Sequence, residues 1–321
     1  MHYVGVDLGA TNVRAAVGDE VGTIVGSHRG ATPDESGAAV TDAVVDAVRG
    51  ACADASVSPA SVVAAAVGAM GRLDPAVGGV RVPSNLSDDL GPIPLVGPIG
   101  DALDTDDVFL HGDTVAGAIG ERFFSHPDVD DLAYLTISSG IGAGVVTGGD
   151  VLAGWNGNAG EVGHTTIDAD GAMTCGCGRD GHWEAYCSGN NIPRFARELH
   201  EDGAETALPL DSPSFTAKDV FDHAGEDDFA DRVVERVAEL NALGVANLVH
   251  AYAPRVVSVG GAVALNNPDR VVDPIRTRLG DAVLIDVPEV RVSDLGEGAV
   301  LKGALASALT RGTGDPTDAA T

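Results

Sequence analysis

The chain has 321 residues, of which 44% are apolar, so it is long enough for two domains with packed interiors. It carries 19 Lys and Arg residues against 48 Asp and Glu residues, a formal net charge of -29. This excess of negative charge disfavours binding to the phosphate backbone of nucleic acids. The acids are spread among apolar segments, which excludes a disordered acidic tail as their explanation.

Targeting signals and cysteine spacing indicate the compartment. No segment near the N-terminus combines basic residues with an apolar stretch, and no apolar run approaches the ~20 residues that span a bilayer. Three of the four cysteines lie within residues 175–187, which does not resemble a secreted disulfide framework. We therefore expect a cytoplasmic protein without membrane association. The acidic, lysine-poor composition is typical of salt-loving archaea, where concentrated salt screens the repulsion between carboxylates.

Apolar periodicity and glycine or proline turns predict the elements of the first third of the chain. In chain order these are strands at 3–7, at 13–17 and from 24, a helix at 38–52, a strand at 62–67, a loop-dominated stretch at 71–100, a strand at 108–110 and a helix to about 124.

The opening pattern then restarts. A strand at 132–137, a glycine turn at 138–144 and a return strand from 145 repeat the strand–turn–strand unit at 3–17. This repeat predicts an internally duplicated fold. The elements predicted after it are a helix at 229–250, a strand at 256–259, a final helix at about 298–309 and a Gly/Pro-rich tail from 312.

Three glycine turns follow predicted buried strands and are candidates for phosphate binding. Phosphates bind where backbone N–H groups converge and no Cβ intrudes, and Asp7 adds a carboxylate that can hold Mg²⁺ through water. A single glycine turn of this kind more often has no role in binding. A duplicated pair of such turns, however, is the arrangement with which actin-like kinases bind ATP. The candidate residues are Asp7, Gly9, Thr11, Asn12, Gly140, Ile141, Gly142, Gly260 and Gly261.

A cluster of metal-ligating residue types lies between residues 161 and 184. His164, Cys175, Cys177 and His182 offer the ligands of a tetrahedral Cys₂His₂ zinc site. The alternative is a pair of reduced cysteines with unrelated histidines, but closely spaced cysteines in a cytosolic chain favour a metal. Cys52 and Cys187 fit the role of buried small apolar residues better.

Asp113 follows a predicted strand and opens a predicted helix. One interpretation is a helix N-cap, a position that aspartate often occupies. The other is a general base that takes the proton of a sugar hydroxyl during phosphoryl transfer. The position of Asp113 in the sequence does not choose between them.

The motifs at 140–146, Gly154 and 158–164, with the Cys-Gly-Cys-Gly box from Cys175 to Gly181, resemble the signatures of the ROK family of repressors and sugar kinases. The resemblance extends from Gly5 to the final helix. It implies an α/β, actin-like (ribonuclease H-like), duplicated two-lobe ATPase fold that binds ATP and Mg²⁺, with a structural Zn²⁺.

The resemblance also implies roles for individual residues. Asp113 is implied as the catalytic base, and His164 as a residue that presents one ring nitrogen to zinc and the other to the sugar. The implied sugar-binding residues are Asn85, Asp113, Glu161, His164 and Glu184. Two positions depart from the family pattern: His182 stands where a third cysteine is usual, and Gly112 where asparagine usually precedes the catalytic aspartate.

These observations lead to the hypothesis of an ATP-dependent glucokinase, with another hexose (fructose, mannose or an N-acetylated hexosamine) as the alternative substrate. A repressor would need a helix-turn-helix before the strand at Tyr3, and a polyphosphate-using kinase would need a basic groove. A sugar sensor that does not bind DNA stays a weaker alternative. We expect a homodimer or homotetramer that binds sugar and ATP. The predicted lobes are residues 1–112 with a returning helix at 298–310, and residues 113–297 with the zinc site, followed by a frayed tail at 311–321.

Overall fold

The computed structural model describes residues 1–81, 90–200 and 204–320. Contacts within the chain define two compact units. The first comprises Met1–Tyr134, Gly144–Gly160 and Glu297–Thr321, and the second comprises Leu135–Ala143 and Glu161–Gly296. This division groups residues 113–134 with the first unit, whereas the lobe boundary expected from the sequence lies before Asp113. The functional lobes therefore stay a prediction.

The first sheet combines an antiparallel meander with parallel strands. In chain order, the strands of this part of the chain are β1 (His2–Leu8), β2 (Asn12–Gly18), β3 (Ile24–Ala31), β4 (Val62–Ala69), β5 (Arg72–Asp74), β6 (Gly79–Arg81), β7 (Pro92–Pro94) and β8 (Val108–Gly112). The five-stranded sheet has the order β3-β2-β1-β4-β8, in which β1, β4 and β8 are parallel. The strands β5, β6 and β7 form a separate small antiparallel sheet.

Glycines let the helices of the first unit approach the backbone of their neighbours. These helices are α1 (Gly37–Asp54), α2 (Val96–Leu103), α3 (Asp113–Gly120, continued by a π-helical turn to Ser125) and, from the end of the chain, α10 (Ala299–Leu309). A Cβ on Gly303 of α10 would lie 1.6 Å from the carbonyl oxygen of Ala116 in α3. A Cβ on Gly5 of β1 would lie 2.7 Å from the backbone nitrogen of Leu305. Helix α10 therefore contacts both α3 and the sheet at backbone distance.

A second five-stranded sheet repeats the topology of the first. Its strands are β9 (Leu132–Ile137), β10 (Ile141–Thr147), β11 (Asp150–Val151), β12 (Val256–Gly260) and β13 (Glu289–Val292). Their order is β11-β10-β9-β12-β13, and β12 is parallel to β13. In each sheet the first three strands form a meander and the next two are added beside the first strand. The internal duplication that the sequence predicted is confirmed.

The remaining helices belong to the second unit. They are α4 (Glu184–Cys187), α5 (Ile192–Leu199), α6 (Ala217–His223), α7 (Asp228–Tyr252), α8 (Ala262–Asn266) and α9 (Pro268–Ala282). Helix α7 begins after Asp227, whose carboxylate accepts from the amides of Phe229 and Ala230. Across residues 1–81, 90–200 and 204–320, no helix combines the length and the apolar character needed to cross a membrane.

Two stretches are more ordered than the sequence indicated. The described residues of the stretch 71–100, predicted to be mainly loop, contain β5, β6, β7 and the beginning of α2. The three strands have only three residues each, too few to show an apolar alternation. The expected frayed tail contains a helical turn at Pro316–Ala320, and Asp315 forms a 3.4 Å ion pair with the buried guanidinium of Arg122. Burial of an arginine requires partners of this kind.

Candidate active site and metal centre

The structure brings the four predicted metal ligands together. The ligand atoms of His164, Cys175, Cys177 and His182 all lie within 4.8 Å of one another. Cys177 Sγ lies 3.3 Å from His182 Nδ1, and Cys175 Sγ lies 3.7 Å from His164 Nδ1. Zinc–sulfur and zinc–nitrogen bond lengths place tetrahedral ligand atoms roughly 3.3–3.8 Å apart, so the cluster fits a zinc ion. Neither cysteine forms a disulfide.

The fold of residues 161–184, here called the metal loop, positions these ligands. An isolated β-bridge joins Thr166 to His182, so the loop folds back on itself. Gly181 has φ of +73°, and a Cβ at this residue would lie 2.0 Å from the carbonyl oxygen of Asp168. Glycine is therefore required immediately before His182.

The protonation states in the metal loop are set by burial and by neighbouring cations. Burial raises the pKa of the Cys175 thiol to about 12. Burial also lowers the pKa of His182, and the charges of His164 and Arg179 lower it further. A neutral imidazole at neutral pH is the form that binds metals, whereas thiols bind after losing their proton.

Two carboxylates that were predicted to bind sugar flank the cluster. Glu161 Oε2 lies 3.8 Å from His164 Nε2, the ring nitrogen that faces away from Cys175. Partial desolvation by the surrounding protein raises the pKa of the Glu161 carboxyl, the nearby His164 lowers this pKa, and the Glu184 carboxylate raises it. The Glu161 side chain remains 63% exposed. Glu184, the first residue of α4, places Oε1 at 3.7 Å from Cys175 Sγ. The second unit thus combines two carboxylates and one imidazole in one place.

The second turn (residues 138–141) is bound to the metal loop. The amide of Ile141, predicted to bind phosphate, donates instead to Glu184 Oε2 over 2.9 Å. The amide of Gly189 donates to the carbonyl of Ser138 over 2.7 Å. The sequence gives no sign of this contact of Gly189, because its only local feature is a Gly-Asn turn with nothing to link it to residue 138.

The third glycine turn lies next to the second. Gly260 ends β12, and Gly261 has φ of +86° as the residue before α8. A Cβ on Gly261 would lie 2.5 Å from the carbonyl oxygen of Ile137, at the end of β9. Gly142 lies within β10. The carboxyl ends of β9 and β12 therefore bring two of the predicted phosphate turns together without intervening side chains.

The first turn (residues 9–12) lies in the first unit. The Gly9 amide donates to the carbonyl of Asn12, and Thr11 is exposed. Asp7 is buried and paired with Arg14, whose Nε donates to Asp7 Oδ2 over 2.9 Å. Burial raises the pKa of Asp7, and Arg14 opposes this shift. One carboxylate oxygen of Asp7 is thus already engaged by Arg14.

Asp113 is the first residue of α3, and Gly112 occupies the N-cap position. The interpretation of Asp113 as the N-cap is therefore wrong. Its Oδ1 accepts from the amide of Thr114 over 2.8 Å, and the residue is half-buried in the first unit. Asn85, the remaining predicted sugar contact, lies outside the described residues.

Comparison with known proteins identifies the family. The sequence profile of the ROK family matches residues 3–311. The chain belongs to the ROK family. A glucokinase from Pyrobaculum calidifontis is 33% identical over 312 residues, which cover 95% of this chain and 94% of that protein.

Two solved structures agree with this assignment. A ROK hexokinase from Thermus thermophilus is similar with a TM-score of 0.79 at 32% identity, over 96% of this chain and 98% of that one. A ROK family glucokinase from Streptomyces griseus, in complex with glucose and AMPPNP, is similar with a TM-score of 0.77 at 28% identity, over 96% and 99% of the two chains. The actin-like, duplicated α/β fold that the sequence predicted is confirmed.

Proposed function

We propose that this ROK family protein is a glucokinase that transfers the γ-phosphoryl group of ATP to the 6-hydroxyl of glucose. The observation that carries the proposal is the group of Glu161, His164 and Glu184 beside the Cys/His cluster. Carboxylates accept hydrogen bonds from pairs of adjacent hydroxyls, and an imidazole can donate or accept. The glucokinase from P. calidifontis and the glucose-bound structure from S. griseus support the same activity.

Asp113 supplies the base in this proposal. The 6-hydroxyl oxygen forms a bond to the γ-phosphorus while the bond from that phosphorus to the bridging oxygen breaks, and ADP leaves with the electron pair. The hydroxyl proton passes to the Asp113 carboxylate. General-base catalysis of this kind contributes roughly 10²–10⁴-fold to a rate. The glycine turns at residues 9–12, 138–141 and 260–261 are proposed to hold the phosphates through backbone N–H groups.

Two metal ions accompany the proposal. His164, Cys175, Cys177 and His182 hold a structural zinc, which fits their donor atoms and spacing. Asp7, whose Oδ2 accepts from Arg14, would hold Mg²⁺ through water. Magnesium bound to ATP neutralises negative charge on the phosphates. The zinc would support the sugar site by orienting His164, whose Nε2 remains directed to Glu161.

A hexose other than glucose is the alternative substrate, and the glycine at position 112 favours this alternative. This residue caps α3 without a side chain, so the residue before Asp113 offers the sugar no side-chain hydrogen bond. A mannose, fructose or N-acetylated hexosamine kinase would share every other feature of the site.

A coupled assay of ATP turnover with Mg²⁺ tests the proposal on glucose, mannose, fructose and N-acetylated hexosamines. It is run at low and at molar KCl, because a net charge of -29 destabilises the fold when salt does not screen it. Glucose is expected to give the highest kcat/KM. A preference for another hexose would replace the substrate, and no turnover with any hexose in protein shown to be folded would contradict the kinase.

The oligomeric state and compartment belong to the same proposal. We propose a homodimer or homotetramer in the cytoplasm. The cytoplasmic location agrees with four cysteines that form no disulfide. Sedimentation velocity at molar salt measures the assembly, and a monomer at micromolar concentration would contradict it.

A further inference from the structure

Both backbone polar groups of Ile141 lie against the metal loop. Its N–H donates to Glu184 Oε2 over 2.9 Å. On its carbonyl side lies Gly163, where an added Cβ would sit 2.2 Å from the Ile141 oxygen. Gly163 directly precedes the predicted ligand His164, and Glu184 follows the predicted ligand His182 by two residues. Two residues next to the predicted ligands therefore lie against the backbone of Ile141.

Glu184 contacts the turn and the cluster with different oxygens. Oε2 accepts from Ile141, and Oε1 lies 3.7 Å from the sulfur of Cys175. The carboxylate lies so close to the turn that a Cβ on Gly140 would be 2.7 Å from Oε2. One side chain thus connects a metal ligand to the backbone of residues 138–141.

We propose that Glu184 and Gly163 clamp Ile141, and that through this clamp the metal-bound cluster sets the affinity of the turn at 138–141 for the phosphates of the nucleotide. The inference rests on the proposed function in taking this turn as phosphate-binding. Backbone N–H groups bind phosphate well only when the turn already holds them in a converging arrangement. Because metal binding orders the loop that carries its ligands, metal loss releases the clamp. Glu184 is then a positioning residue for the nucleotide, apart from its proposed contact with the sugar.

Nucleotide affinity measured without sugar isolates this role. Binding of AMPPNP with Mg²⁺ is measured by calorimetry for wild type, Glu184→Ala and Glu184→Gln. The glutamine retains an oxygen that accepts from the Ile141 N–H, whereas alanine does not. We expect the Kd to rise about three- to tenfold in Glu184→Ala and to stay within about twofold in Glu184→Gln. Equal affinity in wild type and Glu184→Ala, or equal weakening in both variants, would overturn the clamp.

Amide exchange of Ile141, read by NMR, provides a direct test that does not depend on the variants folding. In the wild type we expect slow exchange with zinc bound and about tenfold faster exchange after chelation. Gly163→Ala, which keeps every metal ligand, is expected to accelerate the same amide and to weaken AMPPNP binding. Exchange that zinc removal leaves unchanged would overturn the clamp. A wild type that binds no AMPPNP would contradict the proposed function as well. AMPPNP binding that is unchanged by zinc removal, by Glu184→Ala and by Gly163→Ala would contradict the clamp alone.

Discussion

The turn between β1 and β2 and the turn between β9 and β10 occupy equivalent places in the two sheets, yet different parts of the chain hold them. At the first turn, the Thr32 hydroxyl donates to the carbonyl of Gly9 over 2.7 Å, from just beyond the neighbouring strand β3. At the second turn, the Ile141 amide donates to Glu184, from the metal loop. The duplicated scaffold is therefore the same, and the residues added to one copy carry the Cys/His cluster and three of the proposed sugar contacts, Glu161, His164 and Glu184.

The packing inside the two units also differs. In the first unit, glycines bring the backbones of α10 and α3 together, and a small apolar cluster of Val115, Ile119 and Ala306 packs beside them. In the second unit, Trp183 of the metal loop is fully buried against Gly244 of α7, and its indole N–H donates to Asn241 over 2.9 Å. The first unit depends on small residues and close helices, whereas the second depends on a loop that a metal can fasten.

The largest expected effect separates the roles of the two units in catalysis. Asp113→Asn in the first unit should lower kcat by about 10²–10⁴-fold, because it removes the proposed base, and should leave the KM for glucose nearly unchanged. Glu161→Gln in the second unit should mainly raise that KM, by about tenfold, through a lost hydrogen bond to the sugar. Steady-state kinetics on both variants measure this. An unchanged kcat in Asp113→Asn would remove the base from the proposal.

Metal removal should destabilise the second unit selectively. Purified protein should contain about one zinc per chain, and chelation should lower its Tm by at least about 5 °C. Cys175→Ala and Cys177→Ala should lack zinc, and their Tm should not respond to chelator. Cys52→Ala, a buried cysteine in the first unit, is the matched control that keeps the metal. Metal analysis that finds no zinc in protein prepared without chelator would contradict the site, and zinc retained in His182→Ala would remove that ligand alone.

The glycine contact of the first unit can be broken by one methyl group. Gly303→Ala places its Cβ against the backbone of Ala116 and should cost about 2–3 kcal/mol in the free energy of unfolding. Gly280→Ala in α9 is the control, because a Cβ there meets nothing within 4 Å and the position is exposed. That variant should gain about 0.5–1 kcal/mol from helix propensity. Urea unfolding compares the two, and a Gly303→Ala protein as stable as the wild type would show that α3 and α10 are further apart.

The smallest expected effect is a pH dependence in the first unit. Burial lowers the pKa of His111 to about 4, and its Nε2 hydrogen-bonds the Ser307 hydroxyl of α10 over 2.7 Å. An unfolded histidine takes up a proton near pH 6.5, whereas the folded protein does so only near pH 4. Stability from His111 is thus complete above pH 6.5 and is lost as the pH falls, by about 2 kcal/mol at pH 5.

His111→Gln should remove this dependence, since the amide keeps a hydrogen bond to Ser307 without titrating. Urea unfolding of both proteins at pH 7 and pH 5 gives the difference, and comparison at equal pH cancels the effect of losing zinc in acid. Parallel losses in the two proteins would show that His111 is solvated in the fold.

Local patterns in the sequence were enough to predict the duplication and the four metal ligands. The two strand–turn–strand units can be recognised because glycines directly follow each apolar strand. The metal ligands can be recognised because Cys175, Cys177 and His182 lie within eight residues. Both signals depend on neighbours in the chain. The strands β5 to β7 gave no such signal, since three residues are too few to show a period.

The sequence by itself determined the fold family, the duplication and the grouping of candidate metal ligands in one loop, because these follow from residue types at short spacing. Only the tertiary structure decided that Glu184 binds the Ile141 amide 43 residues away, that Asp7 is paired with Arg14, and that Gly112 rather than Asp113 caps α3. The sequence does not distinguish one backbone amide from another. The hydrogen-bond partner of an amide is therefore decided by which loop the packed interior brings within 3 Å of it. A carboxylate near a glycine turn can serve a cation, a sugar or a peptide N–H, and packing selects among them.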